Sequence, residues 1–112
     1  MTTVRLVQLT PRARQDLRAI ARYLRREGAG AAVVWRFRAA VERTLTLLAE
    51  HPWMGTKVAA RHRELSALRA FVLRGFESYM IFYLPSERFI TVLRVLHGAR
   101  DLERLLTPDD PG

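Results

Sequence analysis

The chain has 112 residues, 49% of them apolar and 27% charged, which is enough for a single modest core. Its net charge of +8 comes from 19 basic and 11 acidic side chains, and of the basic ones only Lys57 is not an arginine. The lack of cysteine excludes a disulfide scaffold, a zinc ribbon and a thiol nucleophile. No run approaches the ~18 apolar residues that suggest a membrane span.

Val4 to Leu9 reads as a first strand. Thr10-Pro11 is a strong helix start, a hydroxyl N-cap followed by proline at the first helical position. Ala13, Leu17, Ile20, Ala21 and Leu24 then keep helical spacing up to Glu27-Gly28-Ala29-Gly30. Arg12, Arg14, Arg18, Arg22 and Arg25 avoid that stripe. A second helix is predicted from Ala31 to Ala49, with Val34, Phe37, Val41, Leu45 and Leu48 on its apolar side. His51-Pro52-Trp53-Met54-Gly55 stops it. Residues 56–66 are polar and aperiodic, and read as a loop. Three strand-like runs follow: Leu68 to Arg74, Tyr79 to Leu84 and Arg88 to Leu96. They are separated by Gly75-Phe76-Glu77-Ser78 and Pro85-Ser86-Glu87. Ala99 to Leu106 suggests a short C-terminal helix, and 107–112 a frayed tail.

The predicted fold is one α+β domain over 1–112 in the order β-α-α-β-β-β. A helical hairpin packs on one face of a curved, mainly antiparallel sheet. The other face is left free as a binding surface. Tyr79 and Tyr83 are expected in the core, and Trp35 and Trp53 at the helix–sheet junction. Arg94, within an apolar strand, is expected to pair with Glu77 or Glu87, and His97 to cap the strand end.

The charge is uneven. Residues 1–28 hold seven arginines against Asp16 and Glu27, while 101–112 reverse sign. With no signal-peptide pattern in Met1 to Leu9, the expectation is a soluble cytoplasmic protein with a polyanionic or acidic partner, no membrane association, no cofactor and no metal.

Leu68-Arg69-Ala70-Phe71, Tyr79-Met80-Ile81-Phe82-Tyr83 and above all Arg94-Val95-Leu96-His97-Gly98-Ala99-Arg100-Asp101 resemble the RelE/ParE toxin superfamily. Leu9-Thr10-Pro11-Arg12-Ala13 with Asp16-Leu17 is similar to its first helix. His51-Pro52 with Met54-Gly55 is similar to the link after its second. The resemblance spans about residues 4–106. It implies the toxin of a bacterial type II toxin–antitoxin pair. ParE-like members inhibit DNA gyrase; RelE-like members cut messenger RNA on the ribosome.

Cutting RNA through its 2′-hydroxyl needs a general base, a general acid and cationic stabilisation of the phosphorane. Arginine supplies only the last, because its pKa is too high for proton shuttling. The nuclease reading would rest on Arg74, Arg94 and His97, without metal. The sequence lacks a tyrosine after His97, and its single lysine departs from the lysine-rich nuclease pattern. The ParE-like reading, a gyrase inhibitor needing only shape and charge, is therefore preferred. The resemblance also implies an acidic antitoxin in a heterodimer or heterotetramer. Arg14, Arg18, Arg22, Arg69, Arg74, Arg94 and Arg100 are the candidate contacts to antitoxin or target.

Overall fold

Thr10 and Pro11 mark where the first strand gives way to the first helix. The Thr10 Oγ1 accepts the Ala13 N–H at 3.1 Å, a cap worth about 1 kcal/mol. Pro11 contributes the first helical residue without wasting a donor. The computed structural model describes residues 4–28, 30–59, 62–98 and Asp101. Within these, the order is β1 (Leu6–Leu9), α1 (Pro11–Glu27), α2 (Ala31–Glu50), β2 (Thr56–Lys57), β3 (Arg69–Val72), β4 (Tyr79–Pro85) and β5 (Phe89–His97). The predicted C-terminal helix and tail lie outside the described residues, apart from Asp101.

The five strands form one open sheet in the order β1-β5-β4-β3-β2. β1 runs parallel to β5, and every other pair is antiparallel. The parallel pair follows from the helical hairpin, which carries the chain across the sheet before the strands begin to meander. The hairpin turns at Gly30, whose φ of 69° suits glycine.

The helices bury one side against the sheet. Ala13 and Ile20 of α1 are buried with Phe37 and Leu48 of α2, against Tyr79, Ile81 and Tyr83 of β4 and Ile90, Val92 and Val95 of β5. The buried side of α2 also includes Val33, Ala40 and Thr44, while Val34, Val41 and Leu45 sit at its border. Small side chains at 40 and 44 let α2 approach closely. The Thr44 hydroxyl costs little there because it donates to the Ala40 carbonyl at 2.7 Å.

The opposite face departs from expectation. Residues 56–66 are not simply a loop: Thr56–Lys57 pairs antiparallel with β3, and Arg63–Leu65 makes a 3-10 turn. Val58 donates to the Leu68 carbonyl at 2.9 Å. This segment packs Val58 and Leu65 beside a second apolar cluster of Leu68, Ala70, Phe82 and Leu96. The face read as free is therefore partly covered. β4 is buried on both sides, with Tyr79, Ile81 and Tyr83 toward the helices and Phe82 away from them.

The tyrosines are in the core as predicted, but the tryptophans are not at a buried junction. Trp35 is 72% exposed and Trp53 56% exposed. Trp35 falls on the solvent side of α2, two residues from both Val33 and Phe37, so helical geometry turns it outward. Trp53 lies in the link after α2, where the Arg69 guanidinium sits 5.3 Å from its ring centre.

Candidate functional site

β5 is longer than its partner β1. Their pairing ends at Leu9 opposite Val92, so among the described residues the outer edge of β5 has no strand beside it from Leu93 onward. The N-terminal turns of α1 take over that edge. Thr10 N–H donates to the Val92 carbonyl at 3.1 Å. The Thr10 hydroxyl donates to the Leu93 carbonyl at 2.9 Å. The Asp16 carboxylate accepts the Val95 N–H at 3.0 Å. Two residues further on, the Asp101 carboxylate accepts the His97 N–H at 3.1 Å. Side chains thus replace a missing strand, and no edge donor need be buried unpaired.

Asp16 also holds Arg94. The Arg94 Nε donates to one carboxylate oxygen at 2.8 Å and Nη2 to the other at 3.1 Å, a two-pronged fork. This hydrogen bond pushes the Arg94 pKa above its already high value, outweighing burial, and the charges of Asp16 and Asp101 add to it. Arg94 therefore stays cationic at any physiological pH. Its predicted pairing with Glu77 or Glu87 is wrong: Glu77 instead accepts the Gly75 N–H at 2.7 Å. Sequence proximity across the hairpin suggested the nearer acids, but the partner came from α1, 78 residues away.

Arg94 and His97 do not share a face. Arg94 stands opposite Phe82 in the register and His97 opposite Tyr79, which belong to the two different cores. A bulge between Phe82 and Tyr83 places Leu93 as the extra residue. The His97 ring packs edge-on against Tyr79, centres 5.5 Å apart. Arg74 is exposed in the turn after β3, its guanidinium 5.6 Å from the Phe71 ring centre. The three residues of the nuclease reading are thus not brought into one cluster.

Arg69 serves the fold. Its Nη1 donates to the Gly55 carbonyl at 2.7 Å and the Trp53 carbonyl at 3.2 Å. The same link is clamped from inside by Tyr83, whose hydroxyl accepts the Gly55 N–H and donates to the Pro52 carbonyl, both at 2.9 Å. Gly55 is needed for that approach, since a Cβ there would come within 2.5 Å of the Tyr83 oxygen. Burial pushes the Tyr83 pKa up, partly offset by the Gly55 N–H and the Arg69 charge.

Arg14, Arg18 and Arg22 all face solvent on α1. Arg100 lies outside the described residues. Among the described residues no group of three or more His, Asp or Glu side chains is placed to hold a metal. No helix among them is long and apolar enough to cross a membrane.

Sequence reasoning assigned no role to Asp16, the residue that organises this edge. A signal was present: it is the only acid in α1 before Glu27, three residues from Ala13 and four from Ile20, the two buried positions.

The family model for the ParE toxin of type II toxin–antitoxin systems (parDE) matches residues 7–102. The chain belongs to the ParE toxin family. No curated protein matches it. Among solved structures it is similar to a chain of the chromosomal ParDE toxin–antitoxin system from P. aeruginosa. That match has a TM-score of 0.66 and 15% identity, over 85% of this chain and 97% of the other. At such low identity the likeness is one of fold, and the family assignment rests on the sequence match. The ParE fold here is the β-α-α hairpin followed by a meander, with β1 laid parallel to the last strand.

Proposed function

We propose that this ParE-family toxin inhibits DNA gyrase and is neutralised by a cognate acidic antitoxin. The observation that carries the reading is the Arg94–Asp16 fork. An arginine already holding a carboxylate with two bonds is a poor phosphorane stabiliser, and its pKa bars it from moving protons. With His97 on the opposite face and Arg74 in a separate turn, RNA cleavage lacks an assembled acid, base and cation. Inhibition by docking requires only surface.

The antitoxin fits the surface left over. Leu6 is 66% exposed and Val72 37% exposed, on the sheet face turned away from the helices, with Met80, Leu84 and Leu93 half-buried between them. An amphipathic acidic segment that folds on binding would set its apolar side there and its carboxylates toward exposed arginines such as Arg88. The ParDE assembly named for the structural neighbour supports a partner of this kind. A gyrase target places the action in the cytoplasm.

The test is purified gyrase with supercoiled plasmid and the toxin. Toxin-dependent accumulation of cleaved DNA after denaturation, reversed by the antitoxin, is expected. Unchanged gyrase together with ribosome-dependent cleavage of messenger RNA would replace this reading by the nuclease one.

A further inference from the structure

From Pro11 to Arg26 the solvent side of α1 has a single sign of charge. Its exposed positions include Arg12, Arg14, Arg18, Arg22, Arg25 and Arg26. Its acids are two: Asp16, turned inward to Arg94 and the Val95 N–H, and Glu27, the last residue of the helix. Arg14, Arg18 and Arg22 follow one another at four-residue steps, and Arg22 leads on to Arg26. Like charges at this spacing repel, and none of these arginines has an ion pair among the described residues. α2 is built differently, its exposed Arg36, Arg38 and Arg43 being interspersed with Glu42 and Glu50. The one-sign face is thus a property of α1 and not of the chain's composition everywhere.

The chemistry of this face separates two kinds of polyanion. A protein segment needs a desolvated apolar or aromatic anchor at the centre of its contact. Besides the arginines α1 exposes Pro11, Gln15, Ala19, the terminal Glu27 and a single aromatic ring, Tyr23 at 44%, and no large aliphatic side chain to build a desolvated centre around it. A phosphodiester backbone needs nothing but cations and hydrogen-bond donors at regular intervals. From Arg12 to Arg26 the helix rises about 21 Å, the rise of about six base pairs. We propose that the outward face of α1 binds the sugar-phosphate backbone of duplex DNA, without sequence preference, through Arg14, Arg18, Arg22 and their neighbours. The apolar sheet face is left to the antitoxin, so the two partners occupy different sides. The inference goes beyond the choice of gyrase as target, since it concerns contact with DNA in gyrase's absence.

The experiment titrates the purified toxin into a labelled duplex of about 20 base pairs, read by fluorescence anisotropy from ~50 to ~200 mM salt. Contact with about four phosphates gives a log–log salt slope near −3.6, a loss of about 150-fold across that range. The variant R14E/R18E/R22E is expected to weaken binding at least ~10-fold more than R38E/R63E/R88E, which removes the same charge from other exposed sites. R14K/R18K/R22K should stay within ~3-fold of the parent, because a phosphate reads charge first. Should the glutamate variant fail to fold, R14Q/R18Q/R22Q removes the charges without reversing them and must show the same ranking. Equal losses in the two charge-reversed proteins overturn the proposal, as does no binding at the lowest salt. An α1 variant that loses the antitoxin while keeping DNA also overturns it, and gives the face to a protein partner. Gyrase poisoning is scored separately by DNA cleavage, so failure here leaves the gyrase reading standing.

Discussion

Removing the Asp16 carboxylate tests how much of this fold depends on one side chain standing in for a strand. Asp16 accepts three bonds, from Arg94 Nε, Arg94 Nη2 and the Val95 N–H. Its side chain is 14% exposed and that of Arg94 is 26% exposed. Asp16→Ala strands the Val95 N–H at a cost of about 1–3 kcal/mol. It also leaves Arg94 unpaired, adding about 1 kcal/mol once partial exposure and screening are allowed for. The expected loss is about 2–4 kcal/mol, a large part of the ~5–15 kcal/mol available to such a domain. Asp16→Asn keeps an acceptor for Val95 and loses the charge, so about 1–2 kcal/mol is expected. Arg94→Ala leaves Asp16 on Val95 and should cost about 1 kcal/mol. Urea unfolding followed by far-UV circular dichroism measures all three and the Asp16→Ala/Arg94→Ala double variant. A coupling of about 1 kcal/mol between the two sites is expected. If Asp16→Ala costs no more than Arg94→Ala, the edge-capping role is wrong. If the coupling is within ~0.3 kcal/mol of zero, the fork contributes nothing measurable.

Tyr83→Phe deletes a buried hydroxyl that serves both Gly55 and Pro52; a loss of about 1–3 kcal/mol in thermal or urea unfolding is expected. The raised pKa of Tyr83 means that the folded state holds the phenol proton longer than the unfolded chain does. Its stabilisation is therefore complete below the ordinary tyrosine value of about 10 and is lost as pH rises above it. An ultraviolet titration should show a late phenol that disappears in Tyr83→Phe, and a late phase unchanged in that variant would contradict this. Gly55→Ala should destabilise by more than about 1 kcal/mol, because its Cβ would collide with the Tyr83 oxygen and the Ala70 carbonyl. Trp35→Ala should change stability by less than about 0.5 kcal/mol. Acrylamide should quench the fluorescence of both tryptophans readily; a strongly protected Trp35 would refute its placement on the solvent side of α2.

Local signals carried the element order. Thr10-Pro11 started α1 where the structure starts it, and Glu27 ended it. The two hairpin turns separated β3, β4 and β5 to within a residue or two. These features depend on capping, proline geometry and period, which act over a few residues. The two-residue β2 escaped notice because so short a strand has no period of its own. It exists because Leu68 and β3 offer it partners. The family pattern was also legible, in the run from Arg94 to Asp101 and the link at His51-Pro52.

The composition and spacing of the chain by themselves determined an arginine-rich α+β domain, a helical hairpin and a meander, while the toxin family came from the resemblance of its motifs and the family match over residues 7–102. The tertiary structure alone decided which arginines remain available. Arg94 and Arg69 stood in the same candidate group as Arg14, Arg18 and Arg22, yet one forks onto Asp16 and the other onto the Gly55 and Trp53 carbonyls. A charge is consumed or left to a partner according to what lies within about 3 Å of it. Here those neighbours come from segments 14 to 78 residues distant. Sequence spacing reaches only as far as one helix or hairpin. The edge that β1 leaves open on β5, and the carboxylate that closes it, exist only once the sheet is assembled.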